Sequence, residues 1–354
     1  MIENYLNNRF LTLYVLPFFI GSLAILSFAP FNFTIINFII FPFFFYLLVY
    51  INKKSKTIYR QKPYKRNLFI FGLVFGFGFY ISGISWIANS LTFDESFKIF
   101  IPFALILIPL FLGIFYGLVT FLSSFFNLKN KLSSVLIFSI FFGGIEFIRS
   151  FILGGFPWNL LVFSISNNLP SLQILSYVGT YSLNLLSITF FLLPIIFFSK
   201  YKSSAKAIIF CFGLILVVIN YSYGYFNIKN FEKKEYDKLD SVIRVVSPKV
   251  PIERFLTNQS PEKNIDELLT LSDPNKSEKK IFIFPEGIIT SIYFRDLKFF
   301  KNIFKKKFNA NHKVILGINS INENKIYNSL VVLNSDTELL YKYNKNKLVP
   351  FGEF

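Results

Sequence analysis

Cysteine and histidine are almost missing from this 354-residue chain: each occurs once, as Cys211 and His312. A single cysteine closes no disulfide within the chain and builds no thiolate metal site. A single histidine leaves no His-ligated zinc cluster and makes a Ser-His-Asp hydrolase a poor fit. No metal and no cofactor is therefore expected. Acidic residues are scarce in the first part of the chain. Residues 1–224 hold 15 Lys/Arg against 4 Asp/Glu, whereas residues 225–354 hold 22 against 16. The net charge of +17 thus sits largely in short connectors between apolar runs. That placement reads as a membrane-topology signal with a basic membrane-adjacent surface, and no nucleic-acid partner is expected.

What is abundant is apolar. Hydrophobic residues make up 53% of the chain, including 50 Phe, more than a soluble protein of this length uses. Seven stretches read as membrane spans: 10–27, 33–51, 68–90, 99–126, 132–153, 172–199 and 206–224. The connector after the second carries Lys53, Lys54, Lys56, Arg60, Lys62, Lys65 and Arg66. Those after the fourth and sixth carry Lys129 and Lys131, then Lys200, Lys202 and Lys206. The intervening connectors are nearly free of base, Lys98 excepted. Basic loops stay cytoplasmic. The amino terminus is then inside, and seven spans deliver everything after about Phe226 to the opposite face. Several comparable spans follow the first, so a cleaved signal peptide is not expected.

Within the spans, Gly72 with Gly76 and Gly113 with Gly117 have the spacing that lets helices approach closely. Glu146 and Arg149 lie at i, i+3 on one helix face, as a structural ion pair, a lipid-headgroup contact or a support for the next loop. That loop, Gly154-Gly155-Phe156-Pro157-Trp158-Asn159, breaks the helix, and its Trp158 suits a membrane interface. Residues 225–240 form a charged linker. From residue 241 the period changes: strands near 242–246, 281–284, 314–318, 329–333 and 339–343 are interleaved with helical patterns over 261–271 and 292–308. The fold class is therefore a polytopic α-helical membrane domain (1–224) followed by a small α/β domain (241–354).

Chemistry in the second domain centres on strand ends. Glu286 follows the strand 281–284 through Pro285, at the carboxyl end where open α/β folds place their sites. Partial desolvation there makes a carboxylate a usable general base, although a plain surface-turn glutamate fits the same pattern. Lys345 follows the last strand and is positioned to stabilise an oxyanion; Glu353 is a second acid just beyond. An acid, an amine and a second acid without a nucleophile form an incomplete constellation.

These residues resemble a known family. Phe284-Pro285-Glu286, Tyr327-Asn328-Ser329 and Tyr343-Asn344-Lys345 followed by Leu348-Val349-Pro350-Phe351-Gly352-Glu353 are similar to the apolipoprotein N-acyltransferases. So are Phe28-Ala29-Pro30-Phe31, Ser85-Trp86-Ile87 and the run from Glu146 through Arg149 to Gly155-Phe156-Pro157-Trp158. The resemblance implies a nitrilase-like αββα domain on the periplasmic face of the cell inner membrane, and a Glu-Lys-Cys triad. Glu286 matches its general base, Lys345 its transition-state lysine and Glu353 a further essential glutamate. Phe156, Trp158 and Phe255 match substrate-contacting positions. Phe255 stands where the family commonly has tryptophan, with Arg254 keeping the preceding base.

The implied reaction moves an acyl chain from a membrane phospholipid to a cysteine thiolate. The chain then passes from the thioester to the α-amine of a diacylglyceryl-cysteine lipoprotein, in a protein acting as a monomer. The family's cysteine lies beyond the Pro-Phe-Gly-Glu string, so the sequence reads as an amino-terminal portion with an incomplete nitrilase-like domain, inactive by itself. Cys211, inside an apolar run, is no substitute. A membrane-anchored nitrilase-type amidase would use the same residues. A transporter with an extracytoplasmic domain fits less well, because the spans offer few polar residues to line a path.

Overall fold

A computed structural model of the protein describes residues 6–57, 64–92, 95–152, 155–235, 239–248, 260–323 and 325–348. The chain divides into two compact units, Met1–Lys234 and Glu235–Phe354.

The first unit is helical: α1 (Leu11–Ser27), α2 (Asn37–Thr57), α3 (Tyr64–Ile84), α4 (Ile101–Ser123), α5 (Leu132–Arg149), the single turn α6 (Leu169–Leu172), α7 (Leu175–Phe191) and α8 (Ser203–Glu232). Among the described residues six helices, α2 to α5, α7 and α8, are long and apolar enough to cross a membrane, some with 3₁₀ extensions. The first of the seven expected spans is the shorter helix α1. At 1.5 Å per residue, Leu11–Ser27 reaches roughly 26 Å, less than a hydrocarbon core of about 30 Å.

Phenylalanine builds the interior. Phe41, Phe44 and Phe45 of α2, Phe71, Phe75 and Phe79 of α3 and Phe138 and Phe142 of α5 are all essentially inaccessible. They meet mostly edge-on or tilted, as ring quadrupoles prefer; Phe41 and Phe142 lie 6.4 Å apart at 83°. Close approach of α3 and α4 depends on glycine. A Cβ on Gly76 would fall 2.8 Å from the Cα of Gly113, so no side chain fits there. The helix α8 behaves differently: Gly213 and Gly224 are its buried residues, and its apolar side chains point outward. It also runs on to Glu232, through residues assigned above to a linker, because Asn227, Lys229 and Glu232 extend it without a Gly or Pro to stop it.

The second unit is a five-stranded sheet in the order β1 (Val242–Val245), β2 (Lys280–Ile283), β3 (His312–Asn322), β4 (Lys325–Leu333), β5 (Leu339–Asn344). Strands β1, β2 and β3 are parallel; β4 and β5 continue antiparallel. Helix α9 (Pro261–Leu271) connects β1 to β2. Its start is written in the sequence: the Ser260 side chain accepts from the Lys263 amide at 3.3 Å, Pro261 takes the first turn and Glu262 favours the dipole. A 3₁₀ segment (Phe294–Phe300) and α10 (Lys301–Lys307) connect β2 to β3.

One face of the sheet, carrying Phe282, Val314, Leu316, Val331 and Leu333, buries itself against Ile265, Leu268 and Leu269 of α9 and Leu297 and Phe304 beyond. On the other face, Ile243, Val245, Leu330, Tyr341 and Tyr343 are exposed. The described unit is therefore a two-layer α/β structure.

Candidate active site

Strand direction decides which chain ends meet. Strand β2 is parallel to β3, and two antiparallel steps make β5 point the same way. The carboxyl ends of β2 and β5 thus share one sheet edge, and β4 begins there. Glu286 leaves that edge from β2, Asn328 stands near the start of β4 and Lys345 follows β5. The Lys345 amide donates to the Asn328 carbonyl at 2.8 Å, continuing the β4–β5 ladder past Asn344.

The side chains converge. The Lys345 ammonium donates to Glu286 Oε1 at 3.0 Å, across 59 residues of sequence. The Asn328 amide donates to the same oxygen at 2.5 Å. Two donors on one carboxylate oxygen fix its orientation. Lys345 is 28% exposed and Glu286 62%. The described residues therefore do not supply the desolvation expected of Glu286 at a strand end.

Backbone geometry holds this turn against the sheet. The Phe284 amide donates to the Ile315 carbonyl at 2.8 Å, and Ile289 bridges Ile318 in parallel. Between these ties, the turn lies directly on Gly317 of β3, where a Cβ would come within 2.7 Å of the Glu286 Cα. Gly287 has φ 62°, a left-handed conformation that glycine adopts without a Cβ penalty. Ser329 anchors the neighbouring rung, bonding to Asn344 Oδ1 and Ser320 at 2.8 and 2.7 Å.

The sequence marks Asn328 only as part of the family-like Tyr327-Asn328-Ser329 string and assigns it no contact. Its signal is its place opposite Asn319 in the β3–β4 pairing, at the same edge as two candidate site residues. Glu353 and Phe255 lie outside the described residues.

Trp158 and Phe156 form a separate cluster in the helical unit. Their rings lie 6.0 Å apart, and Trp86 packs edge-on to Trp158 at 5.0 Å. Arg149, with 1% of its side chain exposed, is paired with Glu146 and donates to the Phe156 carbonyl at 2.7 Å and the Trp158 carbonyl at 3.2 Å. The pair is thus a loop support as well as an ion pair. Gly155 (φ 87°) and Asn159 (φ 56°) bend the backbone around that guanidinium. Trp158 is 51% exposed at the end of this brace.

Comparison with known proteins agrees with the sequence motifs. Residues 20–193 match the apolipoprotein N-acyltransferase N-terminal domain. The chain is 29% identical over 349 residues to an apolipoprotein N-acyltransferase of Rickettsia prowazekii (strain Madrid E), covering 95% of this chain and 65% of that protein. It is 29% identical over 354 residues to that of Rickettsia typhi (strain ATCC VR-144 / Wilmington), covering 96% and 66%. The Rhizobium rhizogenes (strain K84 / ATCC BAA-868) protein of the same name is 25% identical over 350 residues, covering 94% and 64%. The chain therefore spans about two thirds of the length of the curated relatives it matches, and it is related to them through both of its units.

Proposed function

We propose that this relative of the apolipoprotein N-acyltransferases takes part in N-acylation of lipoproteins, with Glu286 and Lys345 as two members of the reacting group. The observation that carries the reading is the 3.0 Å contact between Lys345 Nζ and Glu286 Oε1, made by two residues that the sequence separates widely. In the proposed chemistry Glu286 takes the proton of a cysteine thiol. The thiolate attacks the ester carbonyl of a phospholipid, and the Lys345 ammonium stabilises the oxyanion that forms.

Collapse of that intermediate expels the lysophospholipid oxygen, which recovers the proton from Glu286, and leaves a thioester. The amine of a diacylglyceryl-cysteine then attacks the thioester, Glu286 accepts its proton, and the thiolate departs as the amide forms. Asn328 is the positioning residue for the Glu286 carboxylate. By their match to family positions, Phe156, Trp158 and Phe255 are assigned to substrate binding and Glu353 to the role of a further essential acid.

Cys211, in the first third of α8 and exposed among apolar side chains, is not assigned as that nucleophile. The proposal places the thiol outside these 354 residues. The exposed face of the sheet, with Ile243, Val245 and Tyr341, suits the stacking of a second sheet in a complete αββα nitrilase-like fold. The alternating basic connectors favour a sheet unit on the periplasmic side of the inner membrane, with α1 as the seventh crossing, in a monomeric enzyme.

In a bacterial strain depleted of its own lipoprotein N-acyltransferase, the natural product of this gene should restore N-acylated lipoprotein. Glu286→Gln should abolish that restoration with membrane insertion unchanged, and persistence of N-acylation in the variant would sink the assignment. Residues 1–354 alone should give no hydroxylamine-sensitive acyl adduct with labelled phospholipid. A stable adduct on Cys211 would overturn the placing of the nucleophile.

A further inference from the structure

A cavity of about 240 Å³ opens in the helical unit where α2 ends, α3 begins and the segment before α1 turns in. Its cations are Arg9 and Lys54. Arg9 donates to Asn67 Oδ1 at 2.9 Å, and Asn67 is itself only 2% exposed. Lys54 donates to Asn7 Oδ1 at 3.1 Å, which also accepts from the Tyr50 hydroxyl at 2.9 Å. The Lys54 ammonium lies 5.4 Å from the Tyr50 ring centroid. These amides and the phenol orient both cations. The remaining wall is largely apolar, formed by Leu6, Leu13 and Ile51.

Two oriented cations beside an apolar wall, at a helix end, match one chemistry: a phosphate diester carrying a hydrocarbon tail. The ends of α2 and α3 that border the cavity also bear Lys53, Lys65 and Arg66, which raise the local positive potential. The carboxyl end of α2 is the negative end of its dipole and disfavours an anion, so the attraction rests on the cationic side chains. An inorganic phosphate would complement the charge of Arg9 and Lys54 but leave Leu13 and Ile51 against water. The geometry points to a structural binding site for an anionic phospholipid of the leaflet that faces the basic connectors. Its headgroup phosphate sits between Arg9 and Lys54, and its glycerol and upper acyl chain lie along Leu13 and Ile51. The site is separate from Glu286 and Lys345 and does not depend on the proposed acyl transfer.

The test uses the whole 354-residue chain, purified in mild detergent and mixed with phosphatidylglycerol or phosphatidylcholine, with retained lipid counted by native mass spectrometry. Phosphatidylglycerol should be retained in preference to phosphatidylcholine. Each surface cation is worth about fivefold in affinity for anionic lipid, so Arg9→Gln or Lys54→Gln should weaken retention about fivefold, and the pair about 25-fold. Lys54→Arg should keep most of it. Lys200→Gln with Lys202→Gln, an equal loss of charge at another basic connector, should leave retention unchanged. Equal loss in that control, or no selectivity for the anionic lipid, would overturn the site. Displacement of the lipid by millimolar inorganic phosphate would also overturn it, by making free phosphate the occupant.

Discussion

The helical unit and the sheet unit each place an acid–base pair where it matters, and the two pairs are opposites. Glu146 and Arg149 lie three residues apart on one helix, enclosed by the bundle with 4% and 1% of their side chains exposed. Glu286 and Lys345 lie 59 residues apart in sequence and stand at an open sheet edge. An enclosed pair must stay paired, because a lone charge in that interior carries a large desolvation cost. An open pair contributes little to stability and is kept in register by strand topology instead. The first pair therefore supports a loop, and the second is the one assigned above, as a proposal, to the reacting group.

The largest expected effect comes from breaking the enclosed pair. Arg149→Met leaves Glu146 uncompensated and removes the donors to the Phe156 and Trp158 carbonyls, and should cost about 3–5 kcal/mol. Thermal unfolding in detergent checks this; an unchanged midpoint would refute the brace. Next is Gly317→Val, which puts a side chain where the Glu286 turn lies and should cost about 1–3 kcal/mol. It should also weaken N-acylation through displacement of Glu286. Unchanged stability and activity would show that the turn has room to move.

A smaller loss should follow from Lys345→Met. At a partly exposed pair the stability change should stay below about 1 kcal/mol, while lipoprotein N-acylation in the complementation assay is lost. A large destabilisation would erase the contrast between the two pairs.

The smallest effect lies at Asp336, whose carboxyl is held below its ordinary range by hydrogen bonds from Lys305 and then Lys301, at 2.7 and 2.9 Å. A folded value below the unfolded one means the stabilisation is present above the unfolded value, about pH 4, and lost as pH falls through the folded value. Asp336→Asn should flatten that acid-side slope, most visibly at low salt.

Much of this architecture is legible in the order of residues. Uninterrupted apolar runs and the basic connectors mark the helices, because a bilayer tolerates only segments whose backbone is satisfied internally. The helical pattern over 261–271 coincides with α9 residue for residue, since Ser260 and Pro261 mark its start chemically. The Gly72–Gly76 and Gly113–Gly117 spacing marks the α3–α4 contact. Glu286 and Lys345 are legible as strand-end residues. Less legible are the short reach of α1, which depends on where its helical turns begin, and the extension of α8 to Glu232, which no Gly or Pro interrupts. Asn328 belongs to the family-like Tyr327-Asn328-Ser329 string, but its contact stays hidden, because an asparagine in a strand shows nothing of which carboxylate it faces.

The sequence by itself determined the local elements: which segments are apolar, where helices begin, and which strands end on an acid or an amine. These follow from side-chain periodicity and capping, which act over a few residues. Only the tertiary structure decided that β5 runs in the direction of β2, so that Lys345 and Asn328 reach one oxygen of Glu286, and that Gly317 admits the turn bearing it. Those outcomes depend on pairing between strands far apart in the chain, where the cost of closing long loops is repaid by the packing of the whole sheet.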